Sequence, residues 1–348
     1  MSVRRFAIPV LAAALAAAFG CAPAGPPRAP IDLEVAAAPG EIALTPEGLP
    51  ISFRQSVIAD EYFWLRTKVL EGEAPPPFAD AFAAMHDLRA SLGGDPTAWE
   101  DLEVPLGEVK SGAELVEAYE RLPDKKDVDG HVVALRAEAL RLARAVVASE
   151  AAYRKGPYRE HADAIARAAA DLNARFVPHE AQIVGAIEAD FGLPQGAPPI
   201  VITLVSDAPF PGAFAADQRG RVIATFVRVR GLEGSALAET VLHECLNAFD
   251  QVTVREPTGL NALRAALAAR GVDADDASAE MAMSTVMFVE AASLVRRFVD
   301  PGHTPLGESG WYTLYAPAPA IAQAWTRHVE GEALAATADA IVKAVTSP

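Results

Sequence analysis

The sequence predicts an α+β fold that is predominantly helical, with a short β segment set between two runs of helices. Two patterns carry this expectation. Apolar residues recur at helical spacing through most of 78–192 and again from 235 onward, while residues 199–205 and 221–230 are β-branched runs of strand length. Composition agrees: 51% of the 348 residues are hydrophobic, enough for a sizeable core even without the first 50 residues.

Those first residues have their own texture. Arg4 and Arg5 precede an apolar run from Phe6 to Phe19, the pattern of a secretory signal over residues 1–20. The run is too short for a permanent membrane span, which needs about 20 apolar residues. It ends Ala18-Phe19-Gly20-Cys21, which resembles the lipobox of bacterial lipoproteins, with Ala18 where that family usually has Leu. The resemblance implies a lipid on Cys21 that anchors the chain to a membrane. Ala22 rather than Asp follows, which by the same resemblance implies the outer membrane of the cell envelope, facing the periplasm or the exterior. An ordinary cleaved signal is the alternative reading. Residues 21–50 are rich in Ala, Pro and Gly and read as an extended tether.

Charge and cysteine content narrow the function. There are 30 basic and 46 acidic side chains, a formal charge of −16 that becomes −18 once Arg4 and Arg5 leave with the signal. So acidic a surface argues against nucleic acid and anionic lipid as partners. The two cysteines are Cys21 and Cys245, so acylation of Cys21 excludes an internal disulfide. There is no Walker-type phosphate loop, no G-x-S-x-G and no C-x-x-C.

Along the chain, residues 51–195 read as a helical region. Its helices fall at about 78–93, 113–122, 131–153 and 158–176, with another opened by Pro178 and ended near Gly192. Residues 196–348 form a second region. Its strands are 199–205 and 221–230, joined by a loop over 209–220. Helices follow from Ser235, at 259–270, at 275–298 and from 320 onward.

The helix after the second strand carries the chemistry. It reads Thr240-Val-Leu-His243-Glu244-Cys245-Leu246-Asn247-Ala248-Phe249-Asp250. Residues i and i+4 share a helix face, so two imidazoles at that spacing can grip one zinc ion while an intervening Glu takes a proton from metal-bound water. The motif for this is H-E-x-x-H, and here the second His is Asn247, a weaker and harder ligand. HECLNAFD is similar to the H-E-x-x-H-G-F-D of neprilysin-like, thermolysin-type zinc metallopeptidases (glutamate zincins).

The resemblance implies a zincin-like core, a β hairpin plus active-site helix, behind an added N-terminal helical region. It implies a Zn²⁺ held by His243, Asn247 and Glu290, with Glu244 as base. Glu290 stands in Glu290-Ala-Ala-Ser293, similar to the E-A-x-S that supplies the family's third ligand, with Leu294 where the family often has Asp. It further implies His303 and Tyr312 as oxyanion stabilisers, and 222–230 as the edge strand that pairs with an extended peptide substrate.

The residues also have plainer readings. Glu290 lies among apolar neighbours and is expected to be buried, its partner a metal, Arg296 or Arg297, or a retained proton. Cys245 points away from His243 and reads as a buried inert thiol. Glu239 reads as an exposed helix-face charge, and Asp250 as a structural carboxylate about 10 Å along the axis from His243. Two functions stay open: an envelope-anchored zinc peptidase acting on peptides or proteins, weakened by Asn247, or a catalytically inactive lipoprotein of the same fold that binds or scaffolds.

Overall fold

The computed structural model describes residues 41–43, 51–73, 75–93, 96–128, 130–192, 200–209, 212–217, 222–252, 259–272, 277–308, 310, 312 and 315–346. The signal, Cys21 and most of the tether lie outside them. The fold is α+β and mostly helical.

A five-stranded sheet runs through the middle in the order β1 (Glu41–Ala43), β2 (Ile51–Ser56), β5 (Ile200–Val205), β7 (Val222–Arg228), β6 (Ala213–Asp217). Strands β2, β5 and β7 are parallel, while β1 and β6 run antiparallel at the two edges. A separate hairpin pairs β3 (Lys126–Val128) with β4 (His131–Val133).

Three expectations change here. The two strands read from the sequence are parallel neighbours, and the hairpin is made by β6 and β7. Strand β7 is therefore interior, and the edge strand is β6, within the stretch expected as loop. Past the end of β7, Arg230 pairs with Asp207 at 3.0 Å. Third, the sheet joins both halves of the chain, because Ile51 pairs with Ile200, and it takes in Glu41–Ala43 from the segment read as tether.

Helices cover both sheet faces, which is why the interior strands are apolar on both sides. One face carries Ile51, Phe53, Ile202, Leu204 and Val227. It packs on α6 (Pro157–Phe176), α7 (Glu180–Phe191), α8 (Gly234–Val252), α9 (Gly259–Ala269) and α10 (Ala277–Leu294), with α11 (Ala318–Val329) and α12 (Leu334–Thr346) outside them. The other carries Val205, Ala224 and Phe226. It packs on α1 (Val57–Glu71), α2 (Ala79–Leu92), α3 (Pro96–Leu106), α4 (Gly112–Tyr119) and α5 (Leu135–Lys155).

Helix α1 starts where β2 ends. Ser56 caps it by accepting the Ala59 N–H, and Gly72 closes it in the left-handed region. Its residues 57–65 are all buried, including Asp60 and Glu61. Asp60 accepts the Ser206 N–H at 2.6 Å, the Tyr153 hydroxyl at 2.7 Å and the His161 Nδ1–H at 2.9 Å. One carboxylate thereby ties α1 to α5, α6 and the end of β5. Beside it Ser149 donates to Glu61 at 2.6 Å, and burial pushes Glu61 up to about 8.

Tyr153→Phe keeps the ring against Trp64 and Phe78 and removes only the hydroxyl. Urea unfolding is expected to show a loss of about 2 kcal/mol, the range for a hydrogen bond to a charged group, with an unchanged m value. A loss under about 0.3 kcal/mol would show that Asp60 does not depend on Tyr153.

Candidate functional site

The end of β7 turns through Gly231 and Gly234, both at positive φ (79° and 55°), and the chain enters α8. Helix α8 packs on the sheet with one face and on α10 with another, which buries the His-Glu pair. His243 is 8% exposed, and its ring stacks on Phe288 of α10 with centroids 4.0 Å apart. Its Nδ1 is buried without a hydrogen-bond partner, and burial lowers its pKa to about 4, so the imidazole is neutral at neutral pH. The Nε2 lies 4.0 Å from Glu244 Oε1. Burial raises Glu244 to about 7, while the Asn247 side-chain N–H, donating to it at 3.4 Å, pulls the other way.

Glu290 does not join them. Positions 288 and 290 lie about 200° apart around α10, so a helix that turns Phe288 to His243 turns Glu290 to its far side. There Glu290 is fully buried and accepts the Trp325 indole N–H from α11 at 2.9 Å. Trp325 in turn packs on Phe191 at the end of α7. Arg297 pairs with the neighbouring Asp190 at 3.0 Å.

His303 and Tyr312 are also committed elsewhere. The His303 Nε2 lies 2.5 Å from Glu239 Oε2, and the Leu306 N–H donates to the same carboxyl at 2.9 Å. Glu239 is thus fully buried one turn before His243, which corrects its reading as an exposed charge. Desolvation raises its pKa, and the His303 hydrogen bond opposes the rise. Tyr312 packs on Gly307 so closely that a Cβ there would come within 2.5 Å of its ring. Cys245 is a buried free thiol, its pKa raised by burial. The side chains of Asp250 and Trp311 lie outside the described residues.

The predicted zinc ligands therefore do not fit a zinc ion. His243, Glu244 and Asn247 stand together, but Glu290 is separated from them by the body of α10 and held by Trp325. Among the described residues no group of three His, Cys, Asp or Glu side chains can hold a metal ion. The polar network around Asp60 is absent from the predicted set. Its one signal was the pair of acids inside an otherwise apolar helix, Val57-Ile-Ala-Asp60-Glu61-Tyr-Phe-Trp-Leu65. No family model matches the chain, and no curated protein or solved structure matches it.

Burial, and next the Asp190 carboxyl, push Glu290 up from 4.5 to about 8. The folded chain then keeps a proton that the unfolded chain loses between those values. This contribution to stability is full below 4.5 and fades as the pH rises towards 8. Glu290→Gln has no proton to lose. The melting temperature of the wild type is expected to fall relative to the variant between about pH 5 and about pH 8. Parallel curves would mean that Glu290 is ionised in the fold.

Proposed function

We propose that this chain is an envelope-tethered binding protein, similar in its α8 motif to zinc peptidases but acting without hydrolysis. The observation that carries the reading is the separation of Glu290 from His243 across α10. Three further features support it. His243 is closed off by Phe288. Glu244, the would-be base, is buried and accepts the Asn247 side-chain N–H. His303, the would-be oxyanion partner, is taken up by Glu239.

The sheet supplies a way to bind. Strand β6 pairs with β7 on one side, and no strand lies on its other side among the described residues. An extended polypeptide added there would gain main-chain hydrogen bonds in register with the sheet. The leader and Cys21 support an address outside the cytosol, where such a segment would come from other envelope or secreted proteins.

The test is metal analysis of the full chain purified in detergent and equilibrated with Zn²⁺, beside a peptide-hydrolysis assay of wild type and Glu244→Gln. Far less than one zinc per chain is expected, with no hydrolysis that depends on Glu244. One zinc per chain, with hydrolysis lost in Glu244→Gln, would establish the peptidase instead.

A further inference from the structure

The face of α8 that carries His243 continues towards the start of the helix through Glu239 and Ser235, each one turn earlier and about 6 Å along the axis. Both earlier positions are held by one short segment, residues 300–308. The Ser235 hydroxyl donates to Asp300 at 2.6 Å, and Glu239 takes His303 and the Leu306 N–H. The segment thus advances along α8 in register with the helix turns, and His243 occupies the next turn. From outside, Arg296 braces it by donating to the His303 carbonyl at 2.9 Å and approaching Glu308 at 3.6 Å.

At that next turn a buried polar atom has no partner, the Nδ1 of His243. Such an atom is destabilising when left without a hydrogen bond in the interior. The closed arrangement therefore satisfies Ser235 and Glu239 and leaves His243 unsatisfied. The segment itself is irregular: it contains Pro301, Gly302, Pro305 and Gly307, and Pro301, Gly302, Thr304 and Glu308 are exposed while His303, Pro305 and Gly307 are buried. Irregular segments held by a few side-chain attachments open locally at a cost below global unfolding.

We propose that residues 300–308 are a strap, latched by Glu239 and His303, whose release opens the His243 face of α8 to a ligand that donates a hydrogen bond to the imidazole. The latch at Glu239 lies one turn from the His243 ring, whose other neighbour is Phe288. The strap would govern access to this face whether or not a metal or a hydrolytic reaction belongs there.

The experiment measures two sites in the full chain in detergent. Hydrogen exchange reports the strap amides. Carbethoxylation by diethylpyrocarbonate, read by mass spectrometry, reports His243, with exposed His86 as the internal reference. Two variants loosen the strap: His303→Gln breaks the latch, and Ser235→Ala removes the other attachment without stranding a buried acid. Each is expected to speed strap exchange and His243 modification by at least tenfold under conditions where the chain remains folded, with His303→Gln giving the larger effect. If His243 keeps its wild-type rate while the strap exchanges faster, the strap does not guard it and the proposal fails. It fails equally if both rates rise only in step with global melting. Should His303→Gln not fold, Ser235→Ala decides between the same outcomes.

Discussion

Asp60 is the point on which the architecture hangs. Its carboxylate accepts from the backbone at the end of β5, from Tyr153 of α5 and from His161 of α6, while its own helix continues directly from β2. Elements from both halves of the chain thus meet at one buried side chain. A buried carboxylate stranded without its donors would cost several kcal/mol, so the elements that supply them are fixed together. With α1 rooted at Asp60 beside the end of β5, β2, from which α1 continues, pairs with β5.

The same physics shapes the other acids. Glu61, Glu103, Glu244 and Glu290 are all buried, and all have pKa values raised first of all by desolvation. Each is matched to a single donor: Ser149, Arg66, Asn247 and Trp325 respectively. Each of these donors lowers the pKa of its acid, and desolvation outweighs it in every case. Asn247 occupies the second ligand position and donates its side-chain N–H to Glu244 at 3.4 Å.

The helices with a polar side were legible from periodicity, α5 and α6 above all, because half-exposed helices write their burial into the sequence. Helix α1 was not, because residues 57–65 are buried all round and leave no contrast to read. Strand β6 was invisible for a different reason. It reads Ala-Phe-Ala-Ala-Asp, poor in β-branched residues, and is made a strand by pairing with β7. At the site, the burial of Glu290 could be read from its apolar neighbours. Its partners could not, since Trp325 and Asp190 are brought to it only by the packing of α7 and α11 on α10. The likeness to the zinc-peptidase motif rests on short stretches of α8 and α10. It specifies which residues share a helix face and is silent on which way α10 turns.

The central claim is that α10 keeps Glu290 away from His243. Its most direct measurement is a crystal of the protein grown with Zn²⁺, with anomalous scattering collected at the zinc edge. The account predicts no zinc bridging the two residues, and Glu290 bonded to Trp325. A zinc peak about 2 Å from both a His243 ring nitrogen and a Glu290 carboxyl oxygen would contradict it.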